Sequence, residues 1–401
     1  MFLDDCEKSS CCGCKACSAG CPKDAISFYF DSEGFWYPKI DDEKCIHCNK
    51  CRKVCPVSKP ALEPLEDRNQ VYAAYSKDTS VLESSTSGGI FTHISDYFPE
   101  NHGIVFGHKY NSKMQCICGK AQTQEERNLF RGSKYVQSDM GEIYLEIKKE
   151  TETGRPVLFS GTPCQVDAVK NYFGQNVPEN LFLLEIVCHG VPSPKIFAEY
   201  LSMIEKKNGK KIRGFKFRGK EKGWITPLRV ISFEDGSSCG ELLNADAFNN
   251  LFQGTDCILR PSCYKCRYAG KERTSDISIA DFWGIENVDK SMFNENRGTS
   301  LVLVNTDKGK RLFEYARKFM ETKQLPLSAA ALRNFPLSRP SVPYKKRKEF
   351  FESYRKYGLE RSMKKYCFAE ERSLKRRVAR LGKALLGKKN VDRVKQLLRR
   401  Q

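Results

Sequence analysis

The sequence predicts an α+β protein in three parts: a cysteine-dense N-terminal domain at residues 1–57, a larger α/β domain at residues 70–340 and a basic helical tail at residues 341–401. Three observations predict this division. Ten of the 19 cysteines lie in the first 55 residues, short apolar runs alternate with helical patterns in the middle of the chain, and residues 344–401 hold 21 Lys and Arg against 6 Asp and Glu. Residues 58–69, with two prolines and little periodicity, are predicted to form a linker.

Length and composition indicate a globular protein. With 401 residues, 40 % of them hydrophobic, the chain can form two or three domains with cores of their own. No apolar run approaches the roughly 20 residues of a membrane-spanning helix, and the N-terminus lacks an export signal, so we expect a cytoplasmic protein. The formal net charge of +19 would suggest a nucleic-acid partner, but residues 1–59 hold nine residues of each sign and no recognition motif accompanies the basic tail.

Eight of the early cysteines fall into two copies of one spacing, C-x2-C-x2-C-x3-C-P. In two-cluster ferredoxins of the bacterial type, three thiolates of each copy bind one cubane and the fourth binds the other. The spacing therefore predicts a bacterial-type ferredoxin domain with two 4Fe-4S clusters. One cluster would be held by Cys11, Cys14, Cys17 and Cys55, and the other by Cys21, Cys45, Cys48 and Cys51. Four-cysteine zinc sites are the alternative, but they rarely add a third cysteine at this spacing.

Further elements follow from local patterns. Alternating apolar residues on either side of residues 31–34 predict a β-hairpin between the two cysteine groups. Cys6 and Cys12 fall outside the doubled spacing and are predicted to be plain thiols. In the larger domain, four apolar runs are predicted to be strands, at 71–75, 157–159, 181–187 and 301–304, and a helical pattern follows the second of them.

Six short blocks of the larger domain have the composition of functional motifs. They are SSTSGGIF at 84–91, RGSKYVQS at 131–138, GTPCQV at 161–166, VCHGVPS at 187–193, RPSCYKCRY at 260–268 and DISIADFWG at 276–284. Behind a two-cluster ferredoxin pattern, these blocks resemble the coenzyme F420 hydrogenase/dehydrogenase beta-subunit family over residues 1 to about 340. The resemblance implies a flavin-dependent iron-sulfur oxidoreductase, whose larger domain binds FAD and carries a third 4Fe-4S cluster beside the flavin.

The predicted flavin contacts are Ser87, Gly88, Gly89, Gly161, Thr162, Pro163 and Gln165. The first three open a helical stretch, where backbone N–H groups can approach a phosphate, although a plain helix cap has the same pattern. The other four lie between a predicted strand and a predicted helix, where α/β proteins commonly place ligand sites.

For the third cluster the resemblance implies the ligands Cys188, Cys263 and Cys266, with Cys164 or Cys257 as the fourth. A zinc pair or buried thiols are the alternative, because two of these cysteines form only a C-x2-C pair. His189 is a candidate proton donor, and Asp276 and Asp281 are candidates to orient a flavin. A structural role is equally typical of the two aspartates and more typical of His189, so no catalytic residue is assigned.

Flavin joins one-electron to two-electron chemistry. The predicted function is therefore electron transfer between an external donor such as ferredoxin, the 4Fe-4S clusters, FAD and a small-molecule substrate. The second hypothesis is a non-catalytic relay subunit that delivers electrons to a partner enzyme, with cell-surface polysaccharide biosynthesis as its setting. A relay would lack a substrate-sized cavity at the flavin.

The basic tail carries apolar residues at Leu374, Val378, Leu381 and Leu385 between its Lys and Arg side chains. Such a helix suits peripheral contact with an anionic membrane surface. A solvated helix, or one that binds an acidic partner, is the alternative.

Overall fold

The computed structural model describes residues 7–58 and 70–368. The predicted linker beyond Ser58 and the apolar positions of the predicted tail, from Leu374 onward, lie outside the described residues, as does Cys6. Among the described helices, none combines the length and the apolar character that crossing a bilayer requires.

Within these ranges, thirteen strands form three sheets. In chain order they are β1 (Ile26–Phe30), β2 (Trp36–Ile40), β3 (Gln70–Ser76), β4 (Ile104–Tyr110), β5 (Cys116–Ala121), β6 (Val157–Gly161), β7 (Leu181–Ile186), β8 (Ile212–Gly219), β9 (Leu228–Phe233), β10 (Ser238–Leu242), β11 (Ile277–Asp281), β12 (Ser300–Val304) and β13 (Met320–Gln324).

The same ranges contain thirteen α-helices, several of them a single turn long. They are α1 (Ala16–Ala19), α2 (Lys50–Val54), α3 (Thr79–Glu83), α4 (Ile90–Glu100), α5 (Gln124–Asn128), α6 (Ile143–Glu152), α7 (Pro163–Phe173), α8 (Pro194–Asn208), α9 (Ala247–Asn249), α10 (Ile285–Val288), α11 (Asp307–Arg317), α12 (Leu327–Ala331) and α13 (Arg347–Tyr366).

The N-terminal domain contains the predicted hairpin. Strands β1 and β2 pair antiparallel, with Ile26 opposite Ile40 and Phe30 opposite Trp36. The Asp31 carboxylate accepts hydrogen bonds from two backbone N–H groups of the turn, which is the usual way an aspartate stabilises such a turn.

The largest sheet has eight strands in the order β13-β3-β12-β11-β7-β6-β4-β5. Strands β11, β7, β6 and β4 run parallel in its centre, and antiparallel strands flank them on both sides. The four apolar runs are confirmed as strands β3, β6, β7 and β12, and the helical pattern after the second run is α7. The fold is therefore a mixed α/β fold with a large mixed sheet.

Side chains of the central strands alternate between two faces of this sheet. On β6, Val157 and Phe159 pack with residues of α6 and α7, whereas Leu158 packs with residues of α4 and α11. All three side chains are fully buried, and each such burial contributes about 1.5–3 kcal/mol. Helices thus cover both faces, as is usual for parallel strands.

A second core joins α8, the three-stranded sheet β10-β9-β8 and α13. Phe350, Phe351 and Tyr354 of α13 are buried in it, and the cluster extends to Cys367. The segment 341–401, predicted as a basic tail, therefore begins with a helix that belongs to the globular core. Although α13 is rich in Lys and Arg, it has an aromatic face that packs into this core. Gly358, with φ of +78°, interrupts the helix, and residues on both sides of it are buried in the core.

The N-terminal domain packs against the larger domain over an extensive contact. Ala16 and Val54 join the core around α6 and α7, and the Tyr144 hydroxyl donates to the Cys14 carbonyl oxygen at 2.7 Å. Arg347 of α13 forms an ion pair with Glu33 of the hairpin turn. The cysteine loops are therefore held at a defined place beside the large sheet.

Candidate functional site

The two cysteine loops share one backbone conformation. In the first loop, Gly13 and Lys15 have φ of +68° and +65°; in the second, His47 and Asn49 have φ of +53° and +57°. These residues occupy the same positions relative to the first cysteine of each copy. Left-handed residues spaced in this way curl the backbone into a concave turn that suits an anionic group. The doubled sequence spacing is thus matched by a doubled backbone shape.

The second loop and Cys21 enclose a cavity of about 30 Å³, here called the outer site. Its lining includes Cys21, Cys45, Cys48 and Cys51, the four thiols predicted for one cluster. Cys48 is exposed, so the outer site lies at the surface. Burial raises the pKa of the Cys51 thiol, and the nearby thiols of Cys48 and Cys21 raise it further.

The other predicted set, Cys11, Cys14, Cys17 and Cys55, lies deeper, and we call it the inner site. Burial raises the pKa of the Cys17 thiol, and the neighbouring thiols of Cys11 and Cys55 raise it further. Thiols held this close in a buried place cannot all ionise unless a positive group compensates them. Iron ions would supply that charge, so the donor chemistry of the inner site fits a 4Fe-4S cluster.

Cys12 lies between the inner site and the larger domain. Its thiol is hydrogen-bonded to the thiols of both Cys14 and Cys164, and the Cys164 sulfur also lies 3.3 Å from Thr162 Oγ1. Cys12, predicted as a plain thiol, therefore touches a predicted ligand in each domain.

Four cysteines of the larger domain come together near this contact, and we call them the third set. Cys164 lies in the first turn of α7, Cys188 follows β7, and Cys263 and Cys266 belong to the turn after residue 260. Burial raises the pKa of the Cys188 thiol, and the thiols of the other three raise it further. Cys257, the alternative fourth ligand, is instead fully buried in the core around α8 and α13. Of the two alternatives, it is Cys164 that lies with the rest of the third set.

No disulfide bond joins two cysteines within residues 7–58 and 70–368. In the same ranges, no three His, Cys, Asp or Glu side chains are arranged to hold a single metal ion. A cubane distributes its four thiolates over four irons, whereas zinc draws its ligands to about 2.3 Å from one centre. The absence of a single-ion site from the described residues therefore does not test the cubane sites.

A cavity of about 490 Å³ opens where the parallel strands β4, β6, β7 and β11 end. Five of the six motif blocks contribute to its wall, and Cys188 of the third set lies in that wall too. The carboxyl ends of parallel strands are where α/β proteins bind ligands, and the volume is typical of ligand and cofactor pockets. The motifs separated in sequence thus meet at one site.

The wall of this cavity carries more positive than negative side chains. It includes Arg131, Lys134, Arg218 and Arg333 against Asp281. Arg218 is paired with Asp281, and burial lowers the pKa of Lys134 to about 8. Guanidinium groups bind phosphate oxygens in a fork geometry, so a phosphate-bearing ligand suits this wall.

Four buried polar atoms of the cavity-lining residues have no hydrogen-bond partner within the described part of the chain: Thr92 Oγ1, His108 Nε2, Arg131 Nε and Arg218 Nη2. The other ring nitrogen of His108 lies 2.7 Å from Ser138 Oγ, and burial lowers the pKa of His108 to about 4, so this ring is neutral at pH 7. Leaving a buried polar group unpaired costs about 1–3 kcal/mol. A polar ligand in the cavity would satisfy these atoms, so the site fits FAD.

Five of the seven predicted flavin contacts line the cavity: Ser87, Gly89, Gly161, Thr162 and Gln165. Gly88 and Pro163 do not. The Gly88 N–H donates to Ser300 Oγ at 3.0 Å, and a Cβ at this position would lie 2.4 Å from the Ala74 carbonyl oxygen. Gly88 therefore permits close packing of its turn on β3, and Pro163 is the buried first residue of α7.

The structure distinguishes the three motif residues for which both a functional and a structural role were considered. His189 lies in the cavity wall, with Nε2 2.5 Å from Asp256 Oδ1. Asp281 also lines the cavity and accepts a hydrogen bond from Trp224 Nε1 at 2.7 Å. Asp276 does not line it; its carboxylate accepts from a backbone N–H group of β7 at 2.8 Å, which is a structural role.

Several site residues were missed by sequence reasoning. His108 and Arg218 come from strands β4 and β8, which carry no motif, so nothing in the sequence marked them. Arg131 and Lys134 belong to a recognised block, RGSKYVQS, but were given no role. Their basic character was the signal that could have indicated an anionic ligand.

Comparison with known proteins agrees with the cysteine geometry. Residues 10–59 match a 4Fe-4S dicluster domain, a further 4Fe-4S dicluster domain matches residues 37–85, and residues 154–327 match the C terminus of the coenzyme F420 hydrogenase/dehydrogenase beta subunit. A chain of the F420-reducing NiFe hydrogenase complex from Methanosarcina barkeri is similar in structure at 19 % identity and a TM-score of 0.45, over 75 % of this chain and 96 % of that chain. No curated protein matches the chain.

The paired cysteine loops and the large mixed sheet define an iron-sulfur oxidoreductase subunit with an N-terminal dicluster domain. Residues 154–327 match the C terminus of the coenzyme F420 hydrogenase/dehydrogenase beta subunit, which confirms over this segment the resemblance predicted from the motif blocks.

Proposed function

We propose that the protein is an FAD-dependent oxidoreductase that moves electrons between 4Fe-4S clusters and FAD to reduce or oxidise a small-molecule substrate. One observation carries the proposal: Cys188 belongs both to the third set of cysteines and to the wall of the large cavity. The proposed ligands of a third cluster and a cofactor-sized cavity are therefore adjacent. A relay subunit would not need such a space, so the cavity favours the catalytic function.

Four residues from three segments of the cavity wall would hold FAD. Arg131, Lys134 and Arg218 would face its phosphates, and His108 would offer a neutral imidazole nitrogen. Bound FAD would supply the exchange between one-electron and two-electron chemistry. The chain itself supplies the charge, the polar partners and the burial.

The thiols of a third 4Fe-4S cluster would be Cys164, Cys188, Cys263 and Cys266. This set lies beside the inner site through Cys12 and beside the cavity through Cys188. The outer site, with its exposed Cys48, is the part of the series that an external donor such as ferredoxin could approach. The three cysteine sites thus form a series from the surface to the cavity.

Anaerobic purification followed by measurement of iron, sulfide, zinc and flavin per chain tests the proposal. We expect about twelve irons, as three cubanes require, and one FAD. Chemical reduction should then bleach the flavin band, and candidate substrates should restore it. A content of about eight irons per chain would contradict the third cluster. Protein that neither retains nor binds FAD would overturn the catalytic function.

A matched pair of variants assigns the flavin to the cavity. Arg218→Gln removes a buried charge from the wall, whereas Arg317→Gln removes an exposed charge of α11 that does not belong to the wall. The first should lower FAD occupancy and leave the iron content unchanged, and the second should change neither. If both variants bind the same amount of FAD, the flavin does not bind in this cavity.

A further inference from the structure

Arg260 lies at the contact between the N-terminal domain and the larger domain, and its side chain is fully buried. Its Nε donates to the Cys11 carbonyl oxygen at 2.6 Å, and its Nη2 lies 3.5 Å from the Cys11 sulfur. Nη2 also donates to the Trp36 carbonyl oxygen and Nη1 to Gln137 Oε1, each at 3.0 Å. The ring of Tyr37 covers the guanidinium at 4.3 Å. The partners of Arg260 are therefore neutral groups and one predicted cluster ligand.

No Asp or Glu side chain in residues 7–58 and 70–368 forms an ion pair with Arg260. Other deeply buried arginines do have such partners: Arg127 contacts Asp96, and Arg273 contacts Glu185. A buried charge without an opposite charge is strongly destabilising, so proteins retain one only where something compensates it. A 4Fe-4S cluster with four thiolates carries net negative charge, and it would be bound at Cys11, directly against the guanidinium.

We propose that Arg260 is the built-in counter-ion of the inner cluster and raises its reduction potential above that of the outer cluster. Cluster potentials depend on net charge, on hydrogen bonds to the sulfurs and on solvent exposure. Arg260 supplies the first two, since it brings a full positive charge and a donor to the Cys11 sulfur. Burial makes both effective, because little solvent screens them.

The outer site lacks this arrangement among the residues that line it. Its basic lining residues, Lys23 and Lys50, are exposed, so water and salt screen their charge. The difference between the two sites favours an electron at the inner site, next to the larger domain. The inference depends on the two clusters of the dicluster domain and on the contact of Arg260 with Cys11. It therefore stands whether or not FAD is bound.

Potentiometric titration of the anaerobic protein, followed by electron paramagnetic resonance, measures the effect. Arg260→Gln removes the charge and keeps an amide donor, and we expect one cluster to become harder to reduce while the others keep their potentials. Arg260→Lys keeps a charge, so its shift should be smaller. Iron per chain is measured in each sample to show that the clusters are retained.

Arg347→Gln is the matched control. Arg347 also joins the two domains, through Glu33 and the Leu259 carbonyl oxygen, but makes no contact with a cluster cysteine. It should leave all potentials unchanged. Unchanged potentials in iron-replete Arg260→Gln, an equal shift in Arg260→Lys, or the same shift in Arg347→Gln would each overturn the proposal.

If Arg260→Gln loses iron, a second variant tests the proposal in its place. Gln137→Glu places a carboxylate where Gln137 Oε1 now accepts from Arg260 at 3.0 Å, so it neutralises the guanidinium without removing it. The potential of one cluster should shift in the same negative direction. A potential equal to that of the original protein would overturn the proposal.

Discussion

Replacing Gly13 with alanine tests how the first cysteine loop fits against the larger domain. Gly13 has φ of +68°, and a Cβ there would lie 2.4 Å from Gln137 Nε2 and 2.8 Å from Arg260 Cζ. The left-handed backbone costs an L-residue about 1–2 kcal/mol. Overpacking adds about 1–3 kcal/mol, and neither neighbour can yield easily because Gln137 donates to the Cys12 carbonyl oxygen and Arg260 to the Cys11 carbonyl oxygen across the interface. We expect the free energy of unfolding to fall by about 2–5 kcal/mol as the sum of these two effects.

Gly209→Ala separates the two contributions. Gly209 has φ of +65° at the end of α8, and in the described part of the chain nothing lies within 4 Å of the place that an alanine Cβ would occupy. It should therefore lose only the backbone part, about 1–2 kcal/mol. Urea unfolding under anaerobic conditions, followed by loss of cluster absorbance, compares the two variants. If both lose the same stability, the tight fit of Gly13 against Arg260 is refuted.

Three more expectations follow from other parts of the molecule. Cys164→Ala should lower the iron content from about twelve to about eight per chain, whereas Cys257→Ala should retain it, as elemental analysis would show. A chain that ends at residue 368 should keep its iron and its thermal stability, but one that ends at residue 346 loses the aromatic face of α13 and should aggregate or bind a hydrophobic dye. Burial lowers the pKa of His108 to about 4, below the ~6.5 of a histidine in the unfolded chain. Between these two pH values the unfolded chain binds a proton that the folded chain largely does not, so the contribution of His108 to stability should be complete above pH ~6.5 and fall by up to ~3 kcal/mol as the pH drops to about 4. His108→Gln should abolish this part of the pH dependence in urea titrations.

The features that could be predicted from the sequence are those with a local cause. Buried parallel strands are continuous apolar runs, which is why β6 and β7 were predicted at nearly their observed bounds. The doubled cysteine spacing encodes a loop that repeats with the same backbone shape, and the prediction of two cluster sets rests on this spacing alone.

Other features depend on contacts between distant segments. Cys257 and Cys164 are equally plausible ligands by spacing, and only packing separates them, because Cys257 is enclosed by the core of α8 and α13. The same core explains why the tail boundary was misplaced: net charge dominates the composition of α13, while a few aromatic side chains decide where the helix lies. Arg260 belongs to a recognised block, RPSCYKCRY, but its burial could not be predicted, since its contacts are with a loop about 250 residues earlier in the chain.

The unequal depth of the two ferredoxin sites has a consequence for handling in air. Dioxygen reaches a cluster through solvent, and the exposed Cys48 leaves the outer site open to it, whereas Tyr144 and Arg260 close the larger domain over the first loop. Oxidative damage should accordingly begin at the outer end, where a degraded cubane could be rebuilt from iron and sulfide without unfolding the chain. The packing that encloses the inner site should protect it from oxygen, and it should also slow the repair of its cluster.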